Sequence, residues 1–136
     1  TALSYSYTKD ETLIPVFKGL TDVFIKRLPS DYIPYWDLIF VEGNEPRDTS
    51  AASIAICGIY EMSKYISIPE YVETADKMLV SLMDNYTTRS MAFSNGLVTD
   101  AMNNRNAGHG SECNIWGDYY YLEAIIRKSQ NWNKYW

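Results

Sequence analysis

Apolar positions recur along the chain in two rhythms that alternate. From Leu13 to Leu28 the residues Leu13, Phe17, Leu20, Phe24 and Leu28 return every three or four positions, one stripe of an amphipathic, half-exposed helix. Pro15 would clash with the carbonyl four residues back inside a helix, so the helix is expected to start near Thr12, which can cap it, with the proline in the first turn. The loop LPSDYIPYWD stops it. Residues 49 to 65 instead carry Ala51, Ala52, Ile54, Ala55, Ile56, Cys57, Ile59, Tyr60 and Met62 on every side, which predicts a helix packed all round. Ser67-Ile68-Pro69-Glu70 then offers a capping-box spacing with a proline in the first turn, and Tyr71, Ala75, Met78, Leu79, Leu82 and Tyr86 give a single stripe again. Residues 87 to 117 show turn chemistry at Ser94-Asn95-Gly96 and from Asn103 to Gly110, with MAF and LVT as candidate short strands. Tyr119 to Lys128 is apolar and aromatic on most faces and predicts a second inner helix.

The predicted order is the end of a helix in ALSYSY, then outer, inner, outer and inner helices. A weak repeat supports it, because SIAICGIYEMSKYISIPEYV and TALSYSYTKDETLIPVF share an apolar helix end, a polar link and a proline-started amphipathic helix. Hairpins of this kind bury their inner helices only against neighbours, which implies an all-α solenoid or closed toroid. A ring needs more hairpins than 136 residues supply, so residues 1–136 are expected to be a partial toroid domain. Its partners would be the missing N-terminal part of the same domain and, through exposed inner-helix sides, other copies of itself.

Composition narrows the function. The length fits one domain, and 12 Tyr with 4 Trp is a high aromatic load that needs a core or a ligand to cover. A net charge of −5 with scattered basic residues excludes a phosphate-backbone footprint, so nucleic acid is not an expected partner. No apolar run approaches the ~20 residues needed to span a bilayer, and no signal-peptide pattern follows Thr1. Cytoplasmic and periplasmic bacterial settings both fit. Cys57 and Cys113 have no CxxC spacing and only His109 beside them, so free thiols are expected and no metal or cofactor is.

Candidate chemistry gathers where inner helices begin. PYWD at 34 to 37, EPRDTS at 45 to 50 and GHGSECNIWGD at 108 to 118 precede or lead to those helices, and parallel inner helices start on the same face, so the clusters should converge on one mouth. Asp48 is placed to cap the helix that follows it. Arg47 can fork onto a carboxylate of the protein or of a ligand, the internal ion pair being the simpler use. Trp36 with Asp37, and Trp116 with Asp118, pair an aromatic face with an acid, which suits either a lid on the core or a sugar ring with its hydroxyls on the carboxylate. Asp118 can also cap the last helix. His109 and Ser111, between and beside Gly108 and Gly110, could meet an anionic ligand or simply be solvated. No carboxylate pair can be assigned catalysis, because that needs a separation and a raised pKa.

YWDLIF, EPRDTSAASIAICGIYEM and NIWGDYYYLEAIIR, in that order, resemble the C-terminal third of the unsaturated glucuronyl hydrolases, glycoside hydrolase family 88, and more distantly the unsaturated rhamnogalacturonyl hydrolases of family 105. The likeness covers essentially the whole chain. It implies an (α/α)6 toroid of which this chain is the last four helices and the tail of the one before. It also implies a reaction in which an Asp protonates the C4=C5 double bond of an unsaturated uronic acid, water adds at C5, and the product opens to release the next sugar. The family's catalytic acid lies in the N-terminal part, so no catalytic residue is assigned here. By resemblance Trp36, Asp37, Arg47, Asp48, His109, Ser111, Trp116 and Asp118 bind an unsaturated uronic-acid-containing oligosaccharide or support its site, and NNRNAGHGSE lacks the serine and lysine pattern of sulfate-preferring members. The alternative to this enzyme reading is a helical-repeat or carbohydrate-binding module without chemistry.

Overall fold

In a computed structural model of the chain, residues 1–104 and 112–133 are described. Among the described residues five helices account for the regular structure: α1 Ala2–Thr8, α2 Leu13–Lys26, α3 Thr49–Met62, α4 Pro69–Asn85 and α5 Ile115–Ser129. α3 is the hub, packing on α1, α4 and α5, while α1 also packs on α2. The core forms around Ile56, Ile59 and Met62 of α3, Tyr71, Met78 and Leu82 of α4, and Tyr121 and Ala124 of α5, with Ile33 and Val98 sealing it from the loops. α3 is covered on most faces and α2 and α4 along one stripe, as predicted, whereas α5, expected to be a second inner helix, leaves Ile115, Trp116, Tyr119 and Leu122 exposed among the described residues. Among the described residues the segments MAF and LVT form no strand; Val98 makes one antiparallel bridge, to Thr87.

Neighbouring helices are tied by polar side chains as well as by apolar burial. Phe17 of α2 meets Tyr71 of α4 edge to face at 6.3 Å between centroids, and the Tyr71 hydroxyl donates to Asp22. Tyr60 of α3 donates to Asp76 of α4 at 2.6 Å, and Lys128 of α5 reaches the same carboxylate at 2.7 Å.

Several local expectations are corrected. Thr12 makes no side-chain cap; the carboxylate of Asp10 accepts from its N–H at 3.0 Å and its hydroxyl at 2.6 Å, a local turn that feeds the chain into α2. Ile68, buried to 2%, precedes Pro69 at the start of α4, so the box from Ser67 to Glu70 does not close. α5 begins four residues earlier than predicted, with Asn114 as its cap. Leu20 is 60% exposed and Ile54 45% exposed, although the stripe of α2 and the all-round apolarity of α3 predicted both to be covered. Both line one groove that no described residue fills.

Candidate functional site at the mouth of the inner helices

α3 and α5 start side by side. A Cβ on Gly117, in the first turn of α5, would lie 3.4 Å from Ser50 Cβ and 3.5 Å from Ala101 Cβ, so the two helix starts and the loop between α4 and α5 share one crowded floor. Asp48 caps α3 as predicted, its Oδ1 accepting from the N–H groups of Ser50 at 3.1 Å and Ala51 at 3.2 Å. The same oxygen accepts from Met102 N at 3.3 Å, which ties the floor to the long loop. Thr49 completes the tie, its hydroxyl donating to Thr99 O at 2.6 Å.

Asp118 has a different role from the predicted cap. Asn114 fills that position, accepting from Gly117 N at 2.7 Å, while Asp118 Oδ1 accepts from Leu97 N at 2.9 Å and Val98 N at 3.1 Å. It therefore clamps the loop over the start of α5. Gly96 lets that clamp close, because any Cβ there would fall 2.3 Å from Cys113 Cβ.

Arg47 resolves to the internal partner. Its Nε donates to Asp31 at 3.0 Å, and its guanidinium lies 3.9 Å from the centroid of the Tyr35 ring. Burial opposes its charge, yet Asp31 and Tyr35 outweigh burial and hold it above its usual range. Asp31 also accepts from the Tyr86 hydroxyl at 2.8 Å, and burial followed by that carboxylate pushes Tyr86 up to about 12. Asp31 is a residue the sequence reading missed: it lies 16 positions before Arg47, and no local pattern points to the pairing.

The two indoles differ. Trp36 donates from Nε1 to Glu45 at 2.9 Å and leans on Phe40 with centroids 5.8 Å apart, while Asp37 accepts from Ile39 N at 2.9 Å to shape the turn. That end of the mouth is a self-supporting loop. Trp116, on the first turn of α5, keeps 41% exposure, beside Ile115 at 78%. It is the more open aromatic face of the two. His109 and Ser111 lie outside the described residues.

At the opposite ends of the same helices lies a charged cluster that sequence reading did not find. Arg127 pairs with Glu61 of α3 and with Glu123 one turn back on α5, at 2.7 Å for Glu123, and all three side chains are within 5% exposure. Lys64 at 2.9 Å and the Tyr65 hydroxyl at 3.1 Å complete the shell of Glu61. Burial would raise the Glu61 pKa, but Lys64 and Arg127 overcome it, and the carboxyl is held below its usual range. Cys57, nearby, donates to Tyr120 O at 3.3 Å; burial first and Glu123 second push its thiol far above the usual range, so it is an inert core thiol. Both cysteines are free.

This geometry defines a class: stacked helical hairpins in which the helices α3 and α5 start side by side. No family model matches the chain. It is homologous to unsaturated glucuronyl hydrolases, which are also its structural neighbours, and these are α/α toroids. The unsaturated chondroitin disaccharide hydrolase of Streptococcus agalactiae serotype III is 45% identical over 98% of this chain and 35% of its own length. A variant of the unsaturated glucuronyl hydrolase from Streptococcus agalactiae, complexed with dGlcA-GalNAc6S, superposes with a TM-score of 0.93 at 43% identity, over 99% of this chain and 38% of that one. The unsaturated glucuronyl hydrolase of Bacillus sp. GL1, described as responsible for the degradation of glycosaminoglycan, gives 0.86 at 29% identity, over 94% and 36%. The chain thus spans about a third of the length of the curated relatives it matches.

Proposed function

We propose that this chain is the C-terminal part of a glycoside hydrolase that removes unsaturated uronic acid from lyase-generated oligosaccharides by hydrating the C4=C5 double bond. The observation that carries the reading is the match over 98% of the chain to an unsaturated chondroitin disaccharide hydrolase, with the same fold over 99% of it in a saccharide-bound neighbour. In this reading the chain builds one wall of the substrate mouth. Asp48 and Asp118 each spend an oxygen on backbone N–H groups, which suits scaffolding rather than proton transfer. Arg47 is held by Asp31 and Tyr35 and supports the floor from below. Trp116 offers the exposed ring against which C–H groups of a sugar can rest. His109 and Ser111 belong to the loop proposed to face the sugar beyond the scissile bond. The acid that protonates the double bond is supplied by the remainder of the toroid.

The test is a chimera in which the matched stretch of the Streptococcus agalactiae relative is replaced by this chain. It is assayed on unsaturated glucuronyl and galacturonyl disaccharides by loss of the double-bond absorbance. Loss on a glucuronyl substrate is expected; loss only on a galacturonyl substrate would move the reading to the rhamnogalacturonyl type. A folded chimera that consumes neither contradicts it.

A further inference from the structure

Of the asparagines in the chain, Asn95 is the one followed by glycine. Others precede bulky side chains such as Glu45, Tyr86, Ile115 and Trp132, which shield the next backbone nitrogen. Asn95 is exposed in the loop between α4 and α5, close to Phe93 at 99% exposure, and its side chain makes no hydrogen bond to a described residue. Its amide is free to turn. Gly96 N donates to the Ser94 hydroxyl at 3.2 Å and to no backbone carbonyl, so no ladder of backbone bonds holds it away from that amide. Asparagine is among the thermolabile residues, and a following glycine, without a Cβ, leaves the attacking nitrogen open.

Packing explains why glycine stands there. Any Cβ on Gly96 would fall 2.3 Å from Cys113 Cβ and 2.6 Å from its Sγ. The next two N–H groups, of Leu97 and Val98, are those that Asp118 Oδ1 accepts, at 2.9 and 3.1 Å. The Gly96 carbonyl accepts from the Thr88 hydroxyl, and that of Leu97 accepts from Thr88 N at 3.0 Å. The residue that lets the loop close over α5 thus also opens its own nitrogen to the neighbouring side chain.

We propose that Asn95-Gly96 is a site of spontaneous deamidation, and that the isoaspartate it forms breaks the hold of Asp118 on the loop. The Gly96 nitrogen loses its proton to water or hydroxide and bonds to Asn95 Cγ. The bond from Cγ to the side-chain nitrogen breaks, and that nitrogen leaves as ammonia. Water then opens the cyclic imide at either carbonyl, giving aspartate or isoaspartate; the net change is amide plus water to acid plus ammonia. In isoaspartate the backbone runs through the former side chain and gains a methylene just before Gly96. Gly96 is already packed against Cys113, so the added length is taken up at Leu97 and Val98, away from Asp118. The proposal stands whether or not the chain is part of a hydrolase.

The test ages the chain in mildly alkaline buffer and follows intact mass, peptide masses and amide hydrogen exchange. The mass should rise by about 1 Da, the difference between amide and acid, and the rise should sit on the peptide that carries Asn95. In the isoaspartate fraction, separated by chromatography, the Leu97 and Val98 amides should exchange at least about tenfold faster than in fresh chain, the worth of a hydrogen bond to a charged group. Asn95→Gln, whose longer side chain closes the ring far more slowly, should keep both mass and protection over the same time. Asn95→Asp, which adds the charge without lengthening the backbone, should keep the protection. A folded chain whose Asn95 peptide keeps its mass overturns the proposal, and a gain confined to urea-unfolded chain does so by showing that the loop shields the amide. Unchanged exchange in the isoaspartate fraction, equal loss in Asn95→Asp, or no protection of these amides in fresh chain would each overturn it as well.

Discussion

Replacing Arg127 with Met is the most informative single change in this chain. The methionine retains the apolar stem and volume but removes the guanidinium that serves both Glu61 and Glu123. Glu61 would keep Lys64 and Tyr65, so its loss is partial. Glu123 would lose the one cation it pairs with among the described residues. Stranding a buried carboxylate in this way costs about 3–5 kcal/mol, against a total stability on the order of 5–15 kcal/mol. Adding Glu123→Leu to Arg127→Met removes the stranded charge and should recover most of that cost, since apolar replacement of a buried pair is close to neutral. Urea unfolding of the wild type, both single variants and the double variant gives the cycle, read from the midpoints at constant slope. The reasoning is refuted if Arg127→Met costs under ~1 kcal/mol, or if the double variant is no more stable than Arg127→Met.

Three further outcomes are expected. Gly117→Ala places a Cβ 2.8 Å from Asn114 Oδ1, so it should displace the cap of α5 and cost about 1–2 kcal/mol, seen as a lower Tm. Trp116→Ala should cost the chain about 1–2 kcal/mol of stability, because the residue is 41% exposed and otherwise covered, and should raise KM in the chimera; an unchanged KM removes Trp116 from the substrate wall. Glu61 contributes stability above its unfolded pKa, near the ordinary value of 4.5, and loses it as pH falls through the lower folded pKa. Acid unfolding below that value should therefore steepen in the wild type relative to Glu61→Gln, and parallel curves would show the carboxyl to be unperturbed.

The helix order was legible because burial follows periodicity, and periodicity is written in consecutive residues. Asp48 was legible too, since a cap needs only its next three residues. What escaped were contacts between distant positions. Arg47 finds Asp31, Asp118 finds the backbone of Leu97 and Val98, and Arg127 finds Glu61 66 residues away. A faint signal existed for the last: Glu61 ends an otherwise apolar helix, and Glu123 and Arg127 are one turn apart on another. Leu20 and Ile54 misled for the opposite reason. Their pattern predicts cover, but no described residue covers either of them. The pair at the head of α3 ends as architecture, Asp48 holding the helix start and Arg47 holding Asp31.

The central claim, that these residues form the C-terminal wall of an unsaturated glucuronyl hydrolase, is tested most directly by kcat/KM of the chimera on the unsaturated chondroitin disaccharide, beside the parent Streptococcus agalactiae enzyme. A value within about a hundredfold of the parent, or under ~3 kcal/mol of transition-state stabilisation, is predicted for a foreign but equivalent wall. A chimera that melts cooperatively like the parent yet leaves the double-bond absorbance unchanged would contradict it.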